Sequence, residues 1–334
     1  MKYLNICCDC VLTYIEGGKF LNILCPISNI EELYLFIQEN VSEMYFGINN
    51  NNVIFNNRRP SALCNMEKTK ELKHALLLAK KNNIRLNLVC NAFIYPTDKL
   101  EYILEDIYYA YDCGVRDIII SDINLLLYIK DKFFYNDLKF NLSTCAPVYN
   151  MEAISFYKSL GISRICFPRH LTLSEMQQLA ENNKDLEFEA FALNVRCINE
   201  DGFCCFEHGF QNYSPFFEGG GCQLKYNTEA IVNERVDNVT KQIIEKRFEC
   251  VYGNFISACA ACMLPIMKKS NINFLKIAGR EFTVERKIRD VRFLKQCINY
   301  IDKFENLTEY QIQVKKLYER HYNRHCDITQ CYYK

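Results

Sequence analysis

Short apolar runs alternate with amphipathic stretches along most of this chain. Strand-like runs fall at Phe20–Cys25, Glu43–Gly47, Ile84–Asn91, Asp117–Ser121, Lys139–Thr144, Arg164–Pro168, Leu186–Leu193 and Asn273–Ile277. Helical periodicity fills most gaps between them, at Ile30–Glu39, Thr69–Lys81, Lys99–Cys113, Met151–Leu160 and Ser174–Glu181. Such repeated β-α alternation predicts a parallel sheet with helices outside it. About eight strands favour a (β/α)8 TIM-like barrel, an α/β fold, over a doubly wound sheet. The missing Gly-x-Gly-x-x-Gly after the first run argues against a dinucleotide fold. Cys113-Gly114-Val115 and Leu160-Gly161-Ile162 place a glycine just past a helix. Pro26-Ile27-Ser28-Asn29 and Leu173-Ser174-Glu175-Met176 look like helix starts.

The alternation breaks between about Asn194 and Glu249, a stretch rich in Cys, Phe and Gly. It reads as a Cys-rich insertion, residues 194–249, after the seventh strand-like run. Long insertions in compact domains are usually functional, and in a barrel they extend the active face. Residues 281–334 form a C-terminal helical tail. There Ile288, Val291, Leu294 and Ile298 recur at helical spacing, and a second helix runs from Thr308 to about Arg320. The organisation expected is one domain with one insertion.

Composition narrows the function classes. The chain has 334 residues, 49% of them hydrophobic, enough for a large core. Lys+Arg and Asp+Glu number 40 each, so net charge gives no support to a general nucleic-acid surface; a local basic groove stays possible. No long apolar stretch stands at the start. The longest later one, Ile256 to Met267, is too short to cross a bilayer and is broken by Pro265, so no membrane association is expected. The expected location is cytoplasmic. There, 19 cysteines are more consistent with metal binding than with disulfides, and suit an anaerobic source.

Four of these cysteines sit among Gly- and aromatic-rich runs: Cys197, Cys204, Cys222 and Cys259. Their wide, uneven gaps do not make a zinc ribbon, but suit a cluster held between loops of a larger fold. Gly219 to Gly221 would let backbone N–H groups approach cluster sulfides. Buried thiols are the plain alternative. Cys205 and Cys262 rival two of the positions, and Cys7, Cys8, Cys10, Cys326 and Cys331 are read as terminal thiols or a second site. The run Phe274-Leu275-Lys276-Ile277-Ala278-Gly279-Arg280 reads as a last barrel strand followed by a glycine and a cation. Loops after the last barrel strands often bind anions, so Arg280 is a candidate for a carboxylate or phosphate. Arg58 and Arg59 follow an early strand and Arg169 a later one, all candidates for the same face. Glu189 could point into the barrel, where a carboxylate needs a partner. His170, at a strand end, is the histidine to watch. No His-Glu-x-x-His or Gly-x-Ser-x-Gly motif is present.

Taken in order, several segments resemble the U32 peptidase family, the collagenase-like proteases. They are Met44-Tyr45-Phe46-Gly47, Phe55-Asn56-Asn57-Arg58-Arg59, Asn87-Leu88-Val89-Cys90-Asn91 and Gly114 through Asp122. Leu142-Ser143-Thr144, Pro168-Arg169-His170-Leu171-Thr172, Glu187-Phe188-Glu189-Ala190-Phe191, the cysteines, Leu264-Pro265 and Leu275 through Arg280 complete the set. The resemblance spans about Ile23 to Arg280. It implies a barrel-like fold and a [4Fe-4S] cluster on Cys197, Cys204, Cys222 and Cys259, with Cys259 preferred to Cys262 by its distance from Leu264-Pro265. It also implies an oxygen-independent hydroxylase acting on a small molecule, peptide or RNA base. An anionic small-molecule co-substrate, such as prephenate as oxygen source, and a homologous U32-family subunit as partner are implied too. A peptidase, or a non-catalytic cluster-bearing partner of a homologous chain, is the alternative. The chain departs from the family pattern twice: Leu193-Asn194 replaces His-Gly before the first cluster cysteine, and Ala278 replaces the acid of the last strand.

Overall fold

The computed structural model describes residues 20–49, 64–132, 137–197, 199–204, 237–238, 240–241 and 257–333. Strands β1 (Asn22–Pro26), β2 (Glu43–Asn49), β3 (Asn65–Glu67), β4 (Arg85–Cys90) and β5 (Asp117–Ile120) come first. Strands β6 (Lys139–Leu142), β7 (Ile162–Cys166), β8 (Glu187–Leu193) and β9 (Ile272–Ile277) follow. All neighbouring strands pair in parallel, and β1 bonds to both β2 and β9, so the sheet closes on itself. β3 pairs with β2 alone and lies outside the ring. The remaining eight strands make the expected (β/α)8 barrel.

Helices α1 (Ile30–Gln38), α2 (Lys70–Lys81), α3 (Leu100–Asp112), α4 (Ile123–Lys132), α5 (Met151–Ser159) and α6 (Leu173–Glu181) connect the strands. After the insertion come α7 (Leu264–Lys269), α8 (Val284–Ile301) and α9 (Leu307–Tyr322). Side-chain caps start most of them. Asn29, Thr69, Asn150, Thr283 and Asn306 each accept an amide N–H of the first turn. The start expected near Ser174 is set two residues earlier. Thr172 caps α6 and Glu175 returns the bond, a capping box that needs the hydroxyl three positions before the glutamate. Gly114 and Gly161 lie just past helices, as expected, with φ of +105° and +85°. Val291 and Leu294 of α8 are fully buried, while Ile288 and Ile298 pack at the edge of the same core.

Side chains along each barrel strand alternate between the interior and the helices. Met44, Leu88, Ile118, Ile165 and Phe188 join the large helix-facing core. Inside the barrel, Leu24, Tyr45, Val89 and Ile119 form a separate apolar belt at mid-height. Below it lies a charged layer. Arg164, fully buried, donates to Glu43 at 2.6 Å and to Glu187 at 3.0 Å, and its guanidinium lies 3.4 Å from the centre of the Phe274 ring. Arg85 pairs with Asp117 at 2.6 Å, and Asn141 and Asn87 link Asp117 to Glu43 through their amides. Cations and acids at this end satisfy one another inside the barrel.

Candidate active site at the barrel mouth

The C-terminal ends of the strands open on a cleft of about 110 Å³. Tyr45 and Val89 make its floor, and Asn91, Ser143, Cys145, Arg169, Lys276 and Arg280 bring polar groups to it. In β9, Phe274 and Lys276 share the inward face, so the strand delivers a ring to the lower layer and an ammonium to the mouth; Ala278, just past the strand's end, lines the cleft. Lys276 meets Glu189 of β8 at 2.6 Å and lies 4.8 Å from the centre of the Tyr45 ring. Burial alone would raise the Glu189 carboxyl; Lys276 and Arg164 outweigh it and hold the group below the usual carboxylate range. The inward carboxylate anticipated in the sequence is therefore a paired one. Burial, with ionised Glu189 nearby, pushes the Cys166 thiol well above its ordinary value.

Arg169 follows β7. Its guanidinium spans both carboxylate oxygens of Asp201, at 2.8 and 2.6 Å, and stacks 4.0 Å from the Phe191 ring centre. Asp201 belongs to the start of the insertion, so this pair pins the cysteine-bearing loop to the mouth. His170 contacts Glu200 at 2.7 Å through Nδ1, a second tie to the same loop. Arg280 lines the opposite side, with Nη1 donating to Asn65 Oδ1 at 3.1 Å and its carbonyl accepting from Ser28 Oγ at 2.7 Å. Gly279 turns the chain at φ +106°, and a Cβ there would sit 2.2 Å from the Phe282 ring, so glycine is required before Arg280. The structure thus brings Arg169 and Arg280 to one cleft, adds Lys276, and binds Asp201 there; the last two were not singled out in the sequence. Arg58 and Arg59 lie outside the described residues.

The cysteines divide between the described loops and the rest. Cys197 and Cys204 are half-buried in the loop held by Arg169. Cys259 bridges to Leu193 at the end of β8, next to the start of that loop, where Asn194 N–H donates to the Ala258 carbonyl at 2.8 Å. Cys222 and Cys205 lie outside the described residues, as do Cys7, Cys8 and Cys10. Most of the insertion expected at 194–249 does too. Among the described residues, no group of three or more His, Cys, Asp or Glu side chains stands at metal-binding geometry. The donor types still fit a thiolate-ligated cluster: Cys197 and Cys259 come from adjoining segments at one strand end.

The departures from the family pattern acquire a shape here. Asn194 takes the left-handed backbone (φ +66°) that a glycine would take freely, and Asn is among the residues that tolerate it. Its amide donates to buried Asp290 at 2.7 Å, and Arg286 donates to its side-chain oxygen at 3.0 Å. Val195 follows at φ +41°, a strained conformation for a β-branched residue, two positions before Cys197. Ala278, in place of the family's acid, leaves the rim beside Arg280 without that carboxylate.

Comparison with known proteins agrees with the family resemblance read from the sequence. Curated relatives include tRNA hydroxylation protein P of Haemophilus influenzae, 25% identical over 148 residues, covering 43% of this chain and 32% of that protein. The Escherichia coli protein of the same name is 24% identical over 144 residues, covering 42% and 31%. tRNA hydroxylation protein P1 of Bacillus subtilis is 23% identical over 226 residues, covering 64% and 49%. The chain thus matches between about a third and half of the length of these relatives. A solved structure of the U32 peptidase Mk0906 aligns with a TM-score of 0.42 at 15% identity, covering 55% of this chain and 72% of that one. The profile of Peptidase family U32 matches residues 28–334. With that match across most of its length, this chain belongs to Peptidase family U32.

Proposed function

We propose that this chain is an iron–sulfur protein of the oxygen-independent hydroxylation type, or a subunit of one, with transfer RNA as the first substrate class to test. The observation that carries the reading is the meeting, at one barrel mouth, of a cation-lined cleft and the loop bearing Cys197 and Cys204. The names of the three curated relatives support the hydroxylation class and the RNA. Cys197, Cys204, Cys222 and Cys259 would hold a [4Fe-4S] cluster, which supplies electron transfer when bound.

The cleft's own residues carry the binding. Arg280 receives a carboxylate of a small anionic co-substrate through its guanidinium fork. Arg169 is held by Asp201, so it fixes the loop and adds positive field. Lys276, held by Glu189, keeps a cation near the cleft floor without a search through rotamers. Tyr45, whose hydroxyl donates to the Ile277 carbonyl at 2.9 Å, seals the floor against the barrel interior. A homologous U32 chain is the partner class to test by co-purification.

Isothermal calorimetry with prephenate as probe tests the cleft. Arg280→Ala is expected to weaken binding by roughly tenfold to a hundredfold, the range for losing a charge-assisted hydrogen bond. Iron and sulfide content should stay at the parent level. Equal affinity in the two proteins would remove Arg280 from this role.

A further inference from the structure

The wall of the cleft away from Arg280 holds polar atoms that the fold does not use. Six buried side-chain nitrogen and oxygen atoms among the described residues have no hydrogen-bond partner, and two of them, Asn91 Oδ1 and Arg169 Nε, belong to residues that line the barrel mouth. A buried carbonyl oxygen left unpaired costs free energy that a ligand's hydrogen would recover. Asn91 directly follows β4, and the other half of its amide is engaged. Nδ2 donates to Ser143 Oγ at 3.2 Å and approaches Cys145 Sγ at 3.7 Å. Oδ1 is the half left over.

Ser143 directly follows β6 and is only 3% exposed. Its hydroxyl oxygen accepts two N–H groups, one from Asn91 Nδ2 and one from the Cys145 backbone, both at 3.2 Å. A hydroxyl has two lone pairs and one hydrogen, so with both lone pairs in use the hydrogen is what Ser143 has to give. An acceptor and a donor, both neutral, therefore stand side by side on the cleft wall. A ligand hydroxyl answers both at once, giving its hydrogen to Asn91 Oδ1 and accepting the hydrogen of Ser143. A carboxylate has no hydrogen for Asn91, and an ammonium has no lone pair for Ser143.

The ring places this pair opposite the cations. β5 lies four strands from β9 in either direction around the closed barrel, and β4 and β6 flank it. Asn91 and Ser143 thus stand across the mouth from Lys276 and Arg280, with Val89 and Ile119 lining the cleft as well. We infer that Asn91 and Ser143 form a neutral subsite that takes a hydroxyl group, and that the ligand of this cleft is a small hydroxy acid whose hydroxyl is remote from its carboxylate. The acid part of this statement rests on the role proposed above for Arg280; the hydroxyl part rests on Asn91 and Ser143.

Isothermal calorimetry of the anaerobically purified full-length chain with 4-hydroxyphenylacetate and phenylacetate tests the subsite, because the two acids differ only in the distal hydroxyl. The parent chain should bind the hydroxylated acid about tenfold tighter, the effect of one buried hydrogen bond and of an atom otherwise left unpaired. Asn91→Leu and Ser143→Ala should each bring the two acids to within about twofold of one another, with phenylacetate held as in the parent chain. Circular dichroism checks both folds. Asn91→Leu serves alone if Ser143→Ala, which also removes the acceptor of the Cys145 N–H, does not fold; the preference of the parent chain needs no variant. Equal affinity for the two acids in the parent chain would overturn the subsite, and so would a preference that survives both substitutions. Arg280→Ala keeps the two readings apart. A hydroxyl preference that persists while Arg280→Ala leaves both affinities unchanged would sink the carboxylate role and keep the subsite. Loss of both affinities in Arg280→Ala, with no hydroxyl preference in the parent chain, would do the reverse. Binding of neither acid at millimolar concentration would overturn both.

Discussion

The two ends of one barrel use the same residue types for different ends. Below the apolar belt of Leu24, Tyr45, Val89 and Ile119, Arg164 and Arg85 are closed in by Glu43, Asp117 and Glu187, with two asparagine amides joining the acids. Above it, Lys276 and Arg169 also meet carboxylates, but those bonds leave an open cleft and fasten a loop that carries cysteines. A buried cation is therefore not in itself a sign of a binding site. What separates the two ends is whether the charges face each other across a filled interior or stand around a cavity. The lower layer ties β2, β4, β5, β6, β7 and β8 to one another; the upper one borders a cleft.

Substitutions along the barrel axis test that contrast. The largest effect is expected at the bottom. Arg164→Met removes a cation shared by Glu43, Glu187 and Glu189, leaving Glu43 with Arg85 at 3.7 Å and the Asn87 amide, and should cost about 3–5 kcal/mol in denaturant unfolding, the range for breaking a buried pair. An effect below about 1 kcal/mol would show that the layer is not a structural clamp. At the mouth, Lys276→Met should cost less, about 2 kcal/mol, because Arg164 still lies 3.6 Å from Glu189.

The same variant makes a pH prediction. Glu189 has a folded pKa below its unfolded value, so its contribution is present above the ordinary glutamate range and is lost as pH falls through the depressed value. Lys276→Met removes the main cation holding that pKa down. Stability of the variant should therefore fall less steeply than that of the parent on acidification below the glutamate range. Parallel pH–stability curves would mean that Lys276 does not set the Glu189 charge.

Gly279→Ala sharpens the upper half. A Cβ at φ +106° against the Phe282 ring should cost more than about 1 kcal/mol and shift Arg280, so that prephenate binding weakens along with stability. The smallest effect belongs to Glu187→Gln. Its side chain is 39% exposed at the bottom rim, and its loss should cost under about 1 kcal/mol.

The barrel was legible because its strands are short, apolar and separated by helices of helical period. The eight runs read from the chain correspond to the eight strands of the closed ring. β3 was not legible: Asn65-Met66-Glu67 has no strand-like alternation and is ordered by pairing with β2 alone. α4 was missed for a different reason. Its run of Leu125-Leu126-Leu127 blurs the helical period, although only the first two are buried. α7 is hidden in the apolar run that follows the insertion, where Pro265 is a first-turn residue of a helix and not a breaker.

Site residues were legible where a motif marks them, as at Arg280 after Gly279. Lys276 carries a signal that alternation could have supplied, since it lies two residues from Phe274 on the inward face of β9. Asp201 carries none, because its pairing with Arg169 is made by a loop with no period. The bridge of Cys331 to Cys259 is likewise a product of the tail's path.

Iron and acid-labile sulfide analysis of the anaerobically purified chain, with an absorption spectrum, tests the proposed cluster most directly. About four iron and four sulfide per chain are predicted, lost in Cys197→Ala and Cys222→Ala and kept in Arg280→Ala. A folded, colourless protein that holds no iron after anaerobic reconstitution would contradict the account.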